Sequence, residues 1–412
     1  MVVASLAHTQ TVQEYYEAGR QHLANGHFAG YLSAMQSADS LRQNHPILLF
    51  ELGLAQALNE QPASARATLR RAVWLMPDLL EREHPARDSL AGRFSFTELS
   101  AFAADLNEEV RQGQTALTLP DRDIHPEGIA YHQGYTYVSS VRKGTILRYQ
   151  HEQGGSVFGE SPQSVMGMAV DTRRHLLWAA TTAAPQFEGE AEQKGAAIQA
   201  FDLTSGEQRT CFPLTDTTAW LGDLILTSDG TIYATSSSVE HPYVYRLKPG
   251  QEAPEAWLTR EGWASLQGLC VNEAETHLYV ADYRLGIFRI ELSTGDMQSV
   301  ENQTEHPLKG IDGLYRYQDW LIAIHNGLWP FQVTAYHLSA GGTALTEYRY
   351  LEKALPEMGE PTLGYLDGDT FCYLANSPWG AYDQDGAFIP EKAAAPIIRR
   401  LDLSRLLASA KE

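Results

Sequence analysis

A short sequence pattern returns about every 40 residues from residue 126 to the end of the chain. Each copy opens on a polar or glycine-containing step, continues as a short apolar run, turns tightly and ends in a second short run. A repeat of this kind is one supersecondary unit that cannot bury its apolar face alone, so the copies must pack on one another. The sequence therefore predicts a repeat architecture, with copies opening near Pro126, Met166, Asp223, Gln267, Asp312 and Pro361.

The runs within each copy indicate β-strands. They are short, they are separated by turn dipeptides such as Asp229-Gly230 and Asp367-Gly368, and a further apolar run follows each pair. Units of this length with several antiparallel strands are typical of propeller blades. We predict an all-β six-bladed β-propeller over residues 113–412. The run at 116–119 should join the sixth blade, which would close the ring and remove an exposed sheet edge.

Residues 1–112 are predicted to form a small α-helical domain before the propeller. Apolar positions recur there at helical spacing, and residues 97–111 read as a closing helix. Leu52-Gly53, Ala65-to-Ala72 and Pro77 resemble a tetratricopeptide repeat, with a weaker copy before it. Such arrays bind peptides, so a protein partner through the helical repeats is one hypothesis. Packing against the next domain is the favoured alternative, because two repeats make only a small groove.

Charge and hydropathy exclude several partners. The net charge of -20 argues against nucleic acid and anionic membranes, which need clustered Lys and Arg. No apolar run reaches the roughly 18 residues of a membrane span. The start, Met1–Ala7, has the small residues of a signal-peptidase site but no positive region before them. The compartment stays open between periplasmic or secreted and cytoplasmic, and this start favours the former.

Antiparallel pairing predicts where polar side chains meet. The start of the first strand and the end of the second lie at the same end of each blade, so all six blades contribute to one mouth of the channel. Several carboxylates there would repel one another without a cation, and oxygen-only ligands suit calcium. The predicted metal ligands are Glu127, Asp223, Gln267 and Asp312. The predicted lining of a small-molecule pocket is Arg142, Tyr283, His325, Asn326, Asn376 and Trp379. Polar turns at strand starts also occur for purely structural reasons, and for Asp223 and Gln267 that alternative is equally good.

Residues 120–403 resemble the senescence marker protein, gluconolactonase and luciferin-regenerating enzyme family. The resemblance is carried by Pro126-Glu127-Gly128, by the strand ending in Asp282, by Gly310–Gly313 and by Ala375–Ser377. It implies a calcium-dependent six-bladed propeller whose relatives include lactonases. Together with the helical domain, the chain looks like a bacterial branch of that family.

The resemblance also implies roles for individual residues. In the family a Glu opening the first blade, Asn residues opening the third and fourth, and an Asp opening the fifth bind the metal; that Asp is also the general-base candidate. Glu127 and Asp312 match this pattern. The third blade has Gly222-Asp223 in place of the Asn, and the fourth has Gln267.

Three functional hypotheses follow. The first is a calcium-dependent hydrolase of small lactones or esters, with Asp312 as the catalytic base. The second is a non-catalytic propeller that binds a small ligand or a protein partner, which the altered third and fourth blades favour. The third is a synthase of the strictosidine type. It needs a Glu base in the channel, and the sequence marks none beyond Glu127.

Overall fold

The structure is a computed structural model that describes residues 11–150, 154–189, 194–238 and 242–408. The chain divides into two compact units. One comprises residues 1–108 together with Leu328–Pro330, and the other comprises residues 109–327 and 331–412. The signal-like start, Met1–Ala7, lies outside the described residues. Within the described ranges, no helix is both long enough and apolar enough to cross a membrane.

The first unit is helical. Its helices are α1 Val12–Ala24, α2 Phe28–Leu41, α3 Pro46–Leu58, α4 Pro62–Leu75, α5 Pro85–Ser89 and α6 Thr97–Asn107, with a 3-10 helix at Pro77–Glu81. Helices α1 and α2 pack together, as do α3 and α4. Gly53 permits the close approach of α3 and α4, because a Cβ there would lie 2.5 Å from Cγ of Leu69. The helix predicted over 97–111 ends at Asn107, since residues 110 and 111 pair with a β-strand instead.

The second unit contains the strands. Before the blades come β1 Val110–Arg111 and β2 Gln114–Thr118. The first three blades are β3 Pro126–His132, β4 Tyr135–Ser140, β5 Thr145–Gln150 and β6 Ser156–Glu160; then β7 Ser164–Asp171, β8 Leu176–Thr182, β9 Ala196–Asp202 and β10 Gln208–Pro213; then β11 Leu221–Leu226, β12 Ile232–Ser236, β13 Val244–Leu247 and β14 Glu255–Leu258.

The last three blades follow in chain order. They are β15 Leu266–Val271, β16 His277–Asp282, β17 Gly286–Glu291 and β18 Met297–Ser299; then β19 Glu301–Asn302, β20 Ile311–Tyr317, β21 Trp320–His325, β22 Gln332–Leu338 and β23 Ala344–Lys353; then β24 Gly364–Asp367, β25 Thr370–Leu374 and β26 Ile397–Asp402. A 3-10 helix at Pro390–Lys392 precedes β26, and the short helix α7 Leu403–Leu406 follows it.

The six-bladed propeller predicted from the sequence is confirmed. The first strands of the six blades contact one another in cyclic order, from β3 through β7, β11, β15, β20 and β24 back to β3. The predicted closure is also present: β2 pairs antiparallel with β26, with Thr115 opposite Arg399. The sixth blade therefore combines a strand from before the first blade with three strands from the end of the chain.

Glycines near the starts of the inner strands let neighbouring blades come together. A Cβ on Gly128 would lie 2.5 Å from the carbonyl oxygen of Met166 in the next blade. One on Gly268 would lie 2.5 Å from the carbonyl oxygen of Asp312 and closer still to the backbone nitrogen of Leu314. The glycine in the repeated polar-glycine step is thus required by backbone packing around the axis.

We expect Gly268→Ala to destabilise the propeller by about 1–3 kcal/mol, because the new methyl group meets backbone atoms that cannot rotate away. The free energy of unfolding in urea measures the effect. Gly222→Ala is the matched control: it lies in an inner strand, and its Cβ would meet only the Gln267 side chain, at 3.5 Å. Equal stability of the two variants would contradict this account of the glycine.

Candidate functional site

A cavity of about 190 Å³ lies where the inner strands begin. It is smaller than the roughly 300–1,000 Å³ of pockets for drug-sized ligands, so it suits a small molecule. Every blade contributes to it. Its lining consists of Glu127, Met166, Trp220, Gly222, Asp223, Ser237, Gln267, Tyr283, Asp312, Asn326, Glu360, Leu363 and Trp379.

A repeated irregularity of the inner strands lies at this cavity. In blades one to five the pairing register between the first two strands shifts at the polar-glycine step. In the first blade the shift falls between Pro126 and Ile129, and in the fifth between Ile311 and Leu314. A bulge of this kind redirects the side chains of the bulged strand. The shifts therefore coincide with the positions from which Glu127 and Asp312 line the cavity.

Glu127 is anchored by residues of the sixth blade. Its Oε2 accepts a hydrogen bond from the indole Nε1 of Trp379 at 2.8 Å and a longer one from Ser377 Oγ at 3.4 Å. The hydroxyl of Thr362 donates to its backbone carbonyl at 2.7 Å. Burial, followed by the negative charge of Asp312, raises the pKa of Glu127 well above its ordinary value.

Asp312 is positioned by a short hydrogen-bond chain. Asn326 Nδ2 donates to its Oδ2 at 2.8 Å, and Tyr283 OH donates to Asn326 Oδ1 at 2.8 Å. Burial, with the negative charges of Glu360 and Asp223, raises the pKa of Asp312 to about 8. These hydrogen bonds fix Oδ2 of Asp312, whereas its Oδ1 accepts no hydrogen bond from the described residues.

Asp223 and Gln267 also line the cavity. The Asp223 Oδ1 accepts a hydrogen bond from the backbone N–H of Leu224 at 2.8 Å, and burial raises the pKa of Asp223 to about 7. The Gln267 amide nitrogen donates to Ser265 Oγ at 2.9 Å, which fixes the orientation of the amide. The structure thus brings all four predicted metal ligands to one cavity, together with Tyr283, Asn326 and Trp379.

Glu360 is a cavity residue that the sequence analysis missed. It lies between Gly359 and Pro361, just before the sixth inner strand, and its backbone carbonyl accepts a hydrogen bond from Ser377 N at 2.7 Å. Burial raises the pKa of Glu360 to about 7. The sequence contains a signal for it: Glu360 stands shortly before the first strand of the sixth blade, and Glu127 stands at the start of the first strand of the first blade.

Arg142, predicted to line the pocket, lies outside the cavity lining. It forms ion pairs with Asp123 and, at 3.1 Å, with Glu188, and its guanidinium lies 4.6 Å from the ring centre of Phe388. Two carboxylates and an aromatic ring hold it in a surface cluster with Lys143, so its charge is already compensated there.

His325 and Asn376 also lie outside the lining. His325 is fully buried within the fifth blade, where its ring nitrogens contact the carbonyl of Lys309 at 2.9 Å and the hydroxyl of Tyr336 at 2.9 Å. Asn376 donates to the carbonyl of Ala395 at 2.9 Å and accepts from the backbone of Ile397 at 2.6 Å. Both side chains satisfy internal hydrogen bonds of their own blade instead of facing the cavity.

The cavity lining is acidic without a basic counterpart. It contains four carboxyl groups, of Glu127, Asp223, Asp312 and Glu360, and no Lys, Arg or His. Mutual repulsion adds to burial in raising the pKa values of Glu127 and Asp312. Across the described ranges, no three His, Cys, Asp or Glu side chains already stand together so as to hold a metal ion. The cavity therefore contains carboxylate oxygens without a preformed coordination sphere.

Comparisons with known proteins place the fold. No protein-family model matches the chain, and no curated protein matches it. A solved protein of unknown function from Bacteroides thetaiotaomicron is 11% identical with a TM-score of 0.51, over 71% of this chain and 76% of its own. A gluconolactonase from Xanthomonas campestris is 16% identical with a TM-score of 0.49, over 73% of this chain and 92% of its own. Virginiamycin B lyase from Staphylococcus aureus is 14% identical with a TM-score of 0.46, over 71% of this chain and 99% of its own.

The class defined by these observations is a six-bladed β-propeller with an acidic cavity at one mouth. The solved structures similar to this chain include gluconolactonases, the group that the sequence resemblance named. A fold does not fix a reaction, so the reaction has to be argued from the cavity. The tetratricopeptide resemblance of the helical unit stays a prediction.

Proposed function

We propose that this protein is a calcium-dependent hydrolase of small lactones or esters that acts in the cavity at the mouth of the propeller. The observation that carries the proposal is the acidic cavity itself. Glu127 and Asp312, the two residues that match the family pattern, line it together, and no basic side chain of the lining offsets their charge.

The donor set fits calcium in its chemistry. Carboxylate oxygens of Glu127, Asp223 and Asp312 and the amide oxygen of Gln267 are hard ligands, and calcium takes about six to eight oxygens in flexible geometry. Each of the three carboxyl groups is more than nine-tenths buried. A bound calcium ion would stabilise the ionised carboxylates and polarise the substrate carbonyl.

The residues of the chain itself would carry the proton transfers. Asn326 holds one oxygen of Asp312, so the other can accept a proton from a water molecule attacking the carbonyl carbon. The ring C–O bond then breaks, and the leaving oxygen takes a proton back. Trp379 holds Glu127 in place through its indole N–H. A small substrate is implied by the cavity volume, and a protein partner for the helical unit stays a prediction.

Calcium titration of chelator-stripped protein by calorimetry tests the proposal. We expect binding at about micromolar affinity or tighter, and at least about tenfold weaker binding by Glu127→Gln and by Asp312→Asn. Burial raises the pKa of Asp223 to about 7 and that of Asp312 to about 8, so protons compete with calcium for both groups near neutrality. Affinity should therefore fall as the pH is lowered from about 8 to 6.

Asp367→Asn is the matched control for the titration. Asp367 is exposed at the end of β24, and its substitution removes the same charge from outside the cavity. It should bind calcium as the wild type does. Absence of calcium binding, or equal loss in all three variants, would overturn the proposed metal site and favour the non-catalytic alternative.

A further inference from the structure

The cavity holds more negative charge than the proposed metal would neutralise. When all four carboxyl groups are ionised around it, a divalent cation balances two of their negative charges and leaves two. No Lys, Arg or His in the lining compensates for the remainder. An anionic substrate would meet net repulsion in this low-dielectric space, whereas a cationic one would be attracted.

Glu360 is the one carboxylate of the cavity lining that the proposed metal site does not use. The side chains of Glu127, Asp223 and Asp312 each accept at least one hydrogen bond from the protein. The Glu360 carboxylate, by contrast, receives none from the residues that the structure describes. Its main chain is nevertheless fixed, since its carbonyl accepts the N–H of Ser377. Glu360 is thus a positioned hydrogen-bond acceptor with unused capacity.

Two of the more deeply buried carboxyl groups each have an oxygen that accepts no hydrogen bond from the described residues. Oε1 of Glu127 and Oδ1 of Asp312 accept no hydrogen bond from the described part of the chain, although both side chains are more than nine-tenths buried. Neither oxygen is among the fully buried, unpaired side-chain atoms of the described residues, so both face the cavity and are available to a ligand there. The proposed function already gives roles to the free oxygens of Glu127 and Asp312, in binding the metal and in accepting the proton of the attacking water, which leaves Glu360 to contact the substrate.

Aromatic side chains complete the lining. Trp220, Tyr283 and Trp379 border the same cavity as Glu360. Aromatic rings attract organic cations through their electron-rich faces, and Trp does so most strongly. A carboxylate beside aromatic side chains is a combination that binds an ammonium group better than a neutral or anionic group of the same size.

We propose that the cavity selects a substrate bearing an organic ammonium group, and that Glu360 receives that group. The inference rests on the proposed function for the reacting part of the molecule, which makes the substrate an amino-substituted lactone or ester. Glu360 is then a specificity-determining residue. The overall charge of -20 favours the approach of such a cation to the protein.

The test compares α-amino-γ-butyrolactone with γ-butyrolactone, which differ only in the amine, at a pH where the amine is protonated. The readout is the ratio of the two kcat/KM values in calcium-loaded enzyme. We expect Glu360→Gln to lower this ratio at least about tenfold relative to wild type. The difference in intrinsic reactivity between the lactones cancels, because it is the same for both enzymes.

Glu261→Gln is the matched control, since Glu261 is exposed and outside the cavity lining. It should keep the wild-type ratio. An unchanged ratio in Glu360→Gln would overturn the inference while leaving the proposed hydrolase intact.

If neither lactone is hydrolysed, the proposed function fails, and calorimetry with n-butylammonium chloride and n-butanol decides the inference separately. Binding of the ammonium alone, at least about tenfold weaker in Glu360→Gln, would support it. Equal binding of both probes, or of neither, would overturn it.

Discussion

Replacing Asp312 by asparagine is expected to lower kcat for a hydrolysable lactone at least about 100-fold while the propeller stays folded. General-base catalysis contributes about 10²- to 10⁴-fold, and an amide cannot accept the proton of the attacking water. Asparagine has nearly the shape of aspartate and can still accept the hydrogen bond that Asn326 donates to Oδ2 of Asp312. The loss should therefore appear in turnover and not in stability.

Steady-state kinetics at saturating calcium measure this effect, with thermal unfolding of the same samples to verify the fold. Asp367→Asn again serves as the control, because it removes an exposed carboxylate from the propeller without touching the cavity. Wild-type turnover by Asp312→Asn would remove Asp312 from the catalytic role and with it the proposed mechanism.

The second large effect concerns the closure of the ring. Arg399 and Glu352 form an ion pair that is almost fully buried, with the Arg399 Nε donating to a Glu352 oxygen at 2.6 Å. Glu352 also accepts hydrogen bonds from the hydroxyl of Tyr373 and from the backbone N–H of Gly113, the latter at 2.9 Å. One carboxylate thus joins the fifth blade, the sixth blade and the segment that leads into β2.

We expect Arg399→Leu to destabilise the propeller by about 3–5 kcal/mol, because it leaves the Glu352 charge buried without its partner. Urea unfolding gives the free energy difference. Arg400→Leu is the matched control on the same strand: Arg400 is exposed, and its substitution should stay within about 0.5 kcal/mol of wild type.

The double variant Glu352→Leu/Arg399→Leu separates charge burial from packing. It removes both charges, so it should recover part of the stability lost in Arg399→Leu. A small effect of Arg399→Leu, or an equally large effect of Arg400→Leu, would show that the buried pair does not stabilise the closure.

The sequence predicted the architecture because its signals are local. Strand periodicity, turn dipeptides and the repeat length report on residues a few positions apart, and they identified the blades and the pairing of β2 with β26. The helix predicted over 97–111 was wrong at its end, because residues 110 and 111 pair with β23, more than 200 residues away. Tertiary pairing overrides local helical tendency there.

The candidate site was predictable where it depends on strand position alone. Glu127, Asp223, Gln267 and Asp312 stand at the starts of inner strands, and antiparallel pairing gathers those starts at one mouth. The ends of the second strands were less informative. Arg142 and His325 occupy such ends, but ion pairing in one case and burial within the blade in the other take them away from the cavity.

What the sequence by itself determined is therefore the number of blades, their closure and the acidic residues that open them, because each follows from periodicity and pairing along the chain. Only the tertiary structure decided that Glu360 joins those residues and that no basic side chain of the lining offsets them. The physical reason is that the charge of a cavity is a sum over segments far apart in sequence. The paths of the loops and the register shifts of the strands determine which charged residues line the cavity. The local sequence pattern does not encode those paths and shifts.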